Sequence, residues 1–141
     1  MGMDQYFFIY GGLGLQRYMV SDKPRTDAFA AAIKEVVKDG DEVLDIGTGT
    51  GLLAILAAKA GAEQVFGLDN SDIADVAKKL VEANGLTDKV DIVQCNACDF
   101  DLENSMDVIV SEWLGHLAFA EAMLDDVIAA RDANLKPGGV M

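Results

Sequence analysis

The stretch that decides the fold runs from Val43 to Ala60 and reads VLDIGTGTGLLAILAAKA. It begins with a short apolar run, Val43–Ile46, that contains one acid. Three glycines at alternate positions follow, and then a segment rich in Ala and Leu that Gly61 can end. This order is typical of a buried strand, a tight turn and a buried helix.

The same alternation continues on both sides of this stretch. An amphipathic helix is expected from Thr26, as its cap, to just before Gly40, and another from Ser71 to near Gly85. A last helix carries Leu124 to Leu135, and residues 135–140 resemble a turn that enters a fifth strand. The intervening apolar runs predict strands at Val65–Leu68, Val90–Val93 and Met106–Val110. Alternating strands and helices predict an α/β fold with a doubly wound, mostly parallel sheet, truncated at the fifth strand.

Composition limits the classes of partner. The chain has 141 residues, about one domain, and 11 basic against 24 acidic side chains give a net charge of −13. That charge argues against direct contact with nucleic acid or anionic membranes and favours a basic partner. The longest apolar stretch, Leu52–Ala58, is too short to span a bilayer. We therefore expect a cytoplasmic protein, or a nuclear one if the source is eukaryotic.

The glycine turn predicts a nucleoside site. Ligands of parallel sheets bind at the carboxyl ends of the strands, where glycines allow close approach. Asp45, Gly47, Gly49 and Gly51 are therefore candidate binding residues, although the third glycine comes one residue too early for a dinucleotide motif. Asp69, 18 residues after Gly51, is placed to bind a ribose diol, as in both NAD and S-adenosylmethionine sites. Asp99 follows the third strand, where it either reaches an adenine amino group or is an ordinary loop carboxylate.

Glu112 and Glu121, after the fourth strand, form a second candidate site. Two acids in one cleft can bind a metal, exchange protons or hold a cation. No D-x-D spacing supports a hard metal ion, whereas a planar guanidinium matches carboxylates at two points. The alternative is that one acid caps a helix and the other is solvated.

These motifs together resemble the methyl-donor-binding half of the protein arginine N-methyltransferases, from Asp4 to Met141. The most specific element is Ser111-Glu112-Trp113-x-Gly115 with a second acid at Glu121. The other shared elements are Tyr6-Phe7 with Tyr10, Met19, Asp22, Arg25-Thr26, residues 43–51, residues 57–62 and Ala130-Arg131-Asp132. The resemblance implies a Rossmann-like class I methyltransferase fold, with residues 1–25 as a lid over the cofactor and residues 26–141 as the domain that binds it.

The resemblance also implies roles for single residues. Gly47, Gly49 and Asp69 would hold S-adenosylmethionine, which becomes S-adenosylhomocysteine, and Arg25 would pair with its carboxylate. Asp99 would lie near the adenine, and Tyr6 and Tyr10 would belong to a helix that closes over the cofactor. Glu112 and Glu121 would grip the arginine of a basic protein substrate, while Met19 and Met123 line the space around the methyl group. No metal is expected.

The chain also departs from the family pattern. Gln16 stands where a His is usual, His116 where a Tyr is common and Asp69 where a Glu is usual. The family's C-terminal β-barrel, dimerisation arm and Thr-His-Trp loop are absent from the sequence, so we expect weak donor binding and poor methylation by this chain alone. An uncovered fifth strand would also allow a homodimer through the sheet edge.

Other readings of the same residues stay open. The chain could methylate a small molecule or another protein side chain, or it could be a non-catalytic module that binds a nucleoside or a partner. Cys95 and Cys98 suggest zinc or redox chemistry, but the sequence offers too few ligands for zinc, and the pair follows a strand rather than opening a helix. We expect them to be small residues near the adenine.

Overall fold

The computed structural model describes residues 12–113 and 123–141. Two helices come first, α1 (Leu13–Ser21) and α2 (Lys23–Val36). The chain continues through β1 (Glu42–Ile46), α3 (Leu52–Ala60), β2 (Gln64–Asp69), α4 (Ile73–Ala83), β3 (Val90–Gln94), a 3-10 turn (Ala97–Asp99), β4 (Met106–Ser111), α5 (Leu124–Asn134) and β5 (Leu135–Val140). The predicted alternation of strands and helices is therefore confirmed.

All five strands lie in one parallel sheet in the order β3-β2-β1-β4-β5. From β1 the chain moves outward through β2 to β3, and it then crosses back to place β4 on the other side of β1. At such a reversal the loops after neighbouring strands diverge and leave a crevice at the carboxyl edge of the sheet. The topology thus places a binding crevice beside the ends of β1 and β4.

The sheet is covered on both faces, as its apolar strands require. Val43 and Val65 pack beneath α2, α3 and α4, whereas Leu44 and Ile46 point to the opposite face and pack against α5. Neighbouring positions of β1 thus serve different cores, because strand side chains alternate between faces. None of the helices in the described residues has the length and apolarity needed to cross a membrane.

Helix α2 begins three residues earlier than the predicted cap at Thr26. The side chain of Asp22 accepts a hydrogen bond from the Arg25 backbone N–H at 3.4 Å, and Pro24 lies in the first turn. Asp followed closely by Pro is a stronger start signal than Thr, because it provides both a cap and a preset φ. Thr26 lies inside the helix, where its hydroxyl donates to the Val20 carbonyl at 3.2 Å.

The last helix ends one residue earlier than predicted, at Asn134, and Leu135 is the first residue of β5. The pairing of β5 with β4 is irregular, since Leu135 faces Met106 but Val140 faces Val108. Pro137, which lacks a backbone donor, lies in this bulged segment, as is usual for proline in edge strands. Residues 135–140 therefore form the strand itself rather than a turn leading into it.

Candidate functional site

A cleft of about 110 Å³ opens at the carboxyl edge of the sheet. Its walls are the glycine turn after β1, the residues after β2, β3 and β4, and the N-terminal helices α1 and α2. Seven of the predicted site residues line it: Met19, Arg25, Gly47, Gly49, Asp69, Glu112 and Met123. Residues from six segments of the chain thus share one cavity at the position that the topology predicts.

The glycine turn needs its glycines for conformation and for space. Gly49 has a φ of +56°, a region that residues with a Cβ rarely adopt. A Cβ built on Gly49 would lie 2.6 Å from the Gln16 side-chain oxygen. The turn is also tied to β2, because the Thr48 N–H donates to the Leu68 carbonyl at 2.8 Å. A bare backbone therefore faces the cleft, where a ligand can approach it closely.

Asp45 lies beneath this turn rather than in the cleft. Its side chain is fully buried, and its Oδ2 accepts from the Thr48 hydroxyl at 2.7 Å and from the Ala54 N–H at 3.1 Å. Gly51, the N-cap of α3, has no side chain to bind the free N–H groups of that helix, so Asp45 caps α3 from the neighbouring strand. The structure thus gives both residues supporting positions, outside the lining of the cleft.

Burial controls the acidity of Asp45. Loss of water raises the pKa of Asp45 to about 7, although the hydrogen bonds from Thr48 and Ala54 oppose the shift. The nearby Asp69 carboxylate raises it further. The other oxygen, Oδ1, is buried without a hydrogen-bond partner. Asp45 therefore keeps its proton to a much higher pH than an ordinary carboxyl group.

Asp69 ends β2 and faces the cleft. Its Oδ2 accepts from the Gly49 N–H at 3.0 Å, and its Oδ1 accepts from the backbone N–H and the hydroxyl of Ser71 at 3.0 and 2.7 Å. A carboxylate has about four acceptor positions, so capacity remains for a ligand hydroxyl. Asp69 thus both fixes the glycine turn and presents an acceptor to the cavity.

Arg25 and Glu112 meet across the cleft although 87 positions separate them. The Arg25 Nη2 donates to the Glu112 Oε2 at 2.7 Å, and its Nη1 donates to the Met19 carbonyl at 3.4 Å. The guanidinium also lies over the Phe29 ring, 5.5 Å from its centre. Glu112 thus accepts a guanidinium in this cavity, the chemistry predicted for it, but the guanidinium belongs to the chain itself.

Asp99 and Cys95 differ in their positions relative to the cleft. Asp99 is exposed, outside the lining of the cleft, and accepts from the Asn96 side chain at 3.2 Å. Cys95 does line the cavity, and partial burial together with Asp99 raises the pKa of its thiol, which disfavours the reactive thiolate. Within the two described ranges, no three His, Cys, Asp or Glu side chains are grouped to bind a metal ion.

Seven residues named in the sequence analysis lie outside the described residues: Asp4, Tyr6, Phe7, Tyr10, Gly115, His116 and Glu121. Their roles stay predictions, including that of Glu121 as the second carboxylate of the pair.

The cleft also contains residues that the sequence did not assign to it. Gln16, which is only 8% exposed, reaches from α1 over Gly49. Asn96 and Asp126 line the cavity from the segments after β3 and at the start of α5. Asn96 had a usable signal, because it lies two residues after the end of β3, on the same edge of the sheet as Asp69. Asp126 had none, since its place depends on how α5 packs.

The donor set matches a charged nucleoside. Arg25 would pair with a carboxylate, Asp69 would accept from a ribose diol, and the turn at Gly47 and Gly49 leaves room for close approach of the ligand. The partly buried Ala97 and the buried Leu68 complete an apolar wall for a base. The residues present therefore fit S-adenosylmethionine.

The chain is similar in sequence and in fold to known methyltransferases. The family model described as ribosomal protein L11 methyltransferase (PrmA) matches residues 22–141. A probable protein arginine N-methyltransferase 6 of Arabidopsis thaliana is 44% identical over 138 residues, which are 96% of this chain and 32% of that protein. The chain thus spans about a third of the length of this relative.

Two solved structures are similar over most of the chain. Arabidopsis thaliana protein arginine methyltransferase 10, in an open conformation, has a TM-score of 0.89 and 43% identity over 95% of this chain and 39% of its own. The Trypanosoma brucei PRMT1 enzyme-prozyme heterotetramer with AdoHcy has a TM-score of 0.82 and 39% identity over 91% of this chain and 41% of its own.

The family model and the relatives differ in the substrate that their descriptions name. The relatives that match almost the whole chain, including residues before 22, carry the arginine name. The chain therefore belongs to the family that the PrmA model describes, and it is a homologue of the protein arginine N-methyltransferases that spans about a third of their length.

Proposed function

We propose that the chain binds S-adenosylmethionine in the cleft and takes part in methyl transfer to the guanidinium of a protein arginine. The observation that carries the proposal is the contact of Glu112 with a guanidinium, 2.7 Å away, inside a cavity walled by the glycine turn. The resemblance of the chain to arginine methyltransferases supports the same reaction.

The chain's residues have separate tasks in this reaction. The donor supplies an electrophilic methyl group on a sulfonium. Arginine stays protonated at physiological pH and is a poor nucleophile, so its orientation is the main requirement. Glu112 would fix one edge of the substrate guanidinium, and Glu121 is predicted to fix the other. Met19 and Met123 line the same cavity and would exclude water from the transfer path.

The expected substrate is an arginine-containing, basic protein segment. The chain has a net charge of −13, and Asp69, Glu112 and Asp126 bring negative charge to the cleft itself. Such a field would concentrate cationic segments near the cavity. At the sheet edge, where a second copy is expected to pair, Pro137 removes one backbone donor from β5.

Binding of S-adenosylhomocysteine to this chain, measured by calorimetry, tests the donor site. We expect saturable binding that Asp69→Asn weakens about ten- to a hundredfold, since a hydrogen bond to a charged group contributes roughly 1.5–3 kcal/mol. Asp91→Asn is the matched control, because Asp91 is an exposed residue of β3 outside the cleft lining. Absence of saturable binding at millimolar ligand would overturn the proposal.

A titration with an arginine-containing peptide in the presence of S-adenosylhomocysteine, followed by NMR, tests the acceptor site. Glu112→Gln should remove the peptide-induced shifts, whereas Glu82→Gln, an exposed change on α4, should leave them. If a lysine peptide of equal charge gave the same shifts as the arginine peptide, the cleft would be a general cation site, which would contradict the arginine assignment.

A further inference from the structure

We propose that Arg25 is shared between Glu112 and the carboxylate of the bound donor, so that donor binding frees Glu112 to receive the substrate guanidinium. The inference deepens the proposed function and rests on it. Arg25 acts here as a positioning residue, because it acts on the substrate through Glu112.

The charge balance of the cleft is the first support. Its described lining contains three acids, Asp69, Glu112 and Asp126, but one basic side chain, Arg25. These acids would repel a ligand that carries a carboxylate. Among the described lining residues, Arg25 is the side chain that can neutralise such a ligand. The same side chain that neutralises Glu112 is therefore the one that an anionic ligand requires.

The geometry of Arg25 leaves room for a second anion. A guanidinium has five N–H donors, and the contacts described above use one on Glu112 and one, at a long 3.4 Å, on the Met19 carbonyl. The side chains of Arg25 and Glu112 are 24% and 26% exposed, so both can be reached from the cavity. The guanidinium carbon lies over the Phe29 ring, 5.5 Å from its centre.

Coupling follows from the shared charge. While Arg25 is paired with Glu112, its guanidinium occupies the position beside the Glu112 carboxylate. The positive charge of Arg25 would then repel a substrate guanidinium. A donor carboxylate beside Arg25 would compensate that charge and weaken its hold on Glu112. Because coupling free energies are reciprocal, loss of the Glu112 charge must in turn strengthen binding of the donor carboxylate.

The test compares two nucleosides that differ in the amino acid part. S-adenosylhomocysteine carries the carboxylate, and 5′-methylthioadenosine lacks it. Glu112→Gln should tighten S-adenosylhomocysteine about three- to tenfold and leave 5′-methylthioadenosine unchanged, the size expected for releasing a partly buried ion pair. Glu82→Gln, which removes the same charge far from Arg25, should change either affinity less than about twofold.

A double-mutant cycle separates competition for Arg25 from a general change of field. In an Arg25→Gln background, Glu112→Gln should no longer alter the affinity for S-adenosylhomocysteine. An equal gain in both backgrounds, or no gain in either, would overturn the inference while the donor site itself stands. If neither nucleoside binds, the proposed function fails and the inference falls with it.

A measurement on the unaltered chain does not depend on whether these variants fold. Arginine amide, used as a guanidinium probe, should bind more tightly when S-adenosylhomocysteine is present than when 5′-methylthioadenosine is present. Equal affinity for the probe with the two nucleosides would contradict the shared role of Arg25.

Discussion

Replacing Asp45 with asparagine should change how the stability of the protein depends on pH. Asparagine keeps an oxygen that can accept from Thr48 and Ala54 but carries no charge. Its amide nitrogen would take the place of Oδ1, which has no hydrogen-bond partner. This unpaired nitrogen should by itself lower the unfolding free energy by about 1–3 kcal/mol at every pH. The pH dependence that the aspartate brings should disappear.

The magnitude follows from the shift in acidity. Burial raises the pKa of Asp45 from 3.8 to about 7, so between these values the folded chain keeps a proton that the unfolded chain has lost. Stability therefore falls as the pH rises through this window. A shift of about three units corresponds to roughly 4 kcal/mol, since one unit is about 1.36 kcal/mol. This is an upper bound, because local relaxation would reduce it.

Urea unfolding near pH 4 and near pH 8 measures the effect. At each pH we subtract the unfolding free energy of the unaltered chain from that of Asp45→Asn. This difference should be up to about 4 kcal/mol larger at pH 8 than at pH 4. Asp88→Asn, an exposed change between α4 and β3, controls for the lost charge. A difference that stays constant to within about 0.5 kcal/mol would refute the reasoning, since Asp45 would then ionise alike in both states.

Three further changes test other parts of the structure. Gly49→Ala should lower the unfolding free energy by about 1–3 kcal/mol in urea, since its φ is +56° and its Cβ would lie 2.6 Å from the Gln16 oxygen; unchanged stability would contradict the turn geometry. Asn134→Ala should cost about 3 kcal/mol, because the buried amide binds three backbone groups; a loss below about 1 kcal/mol would argue against that network. The Glu42 N–H and Lys136 hold the pKa of Asp107 below its usual value, so its contribution is present above the usual carboxyl pKa and lost as the pH falls through the lowered one. Acid titration of the unfolding free energy should show this loss, and Asp107→Asn should lack it.

Local patterns were sufficient for the sheet and the glycine turn. The apolar run at Val43–Ile46, the alternating glycines and the Ala-rich helix indicate their structures through short-range rules, and a ligand site at the carboxyl ends of the strands followed from general topology. The pairing of Arg25 with Glu112 was beyond such rules, because it depends on how α2 packs against the end of β4. Its two partners are 87 positions apart, and each had been assigned to a different ligand group.

Asp45 had a signal that could have been used. Strand side chains alternate, so Asp45 shares a face with Val43, and the helix after a glycine turn covers that face. The alternation of strand side chains therefore predicts that Asp45 lies under α3. Its position near the end of a strand had instead suggested a ligand contact. The start of α2 was misplaced for a similar reason, because Asp22 and Pro24 together outweigh Thr26 as a start signal.

The hydrogen bonds of Asp45 have a practical consequence for protein engineering. A loop whose glycines leave a helix uncapped is complete only together with an acid from the strand that precedes it. Anyone who grafts residues 47–51 onto another scaffold would have to move the strand carboxylate as well. Without it, the transplanted segment would retain its sequence but lose the anchor that gives the loop its shape.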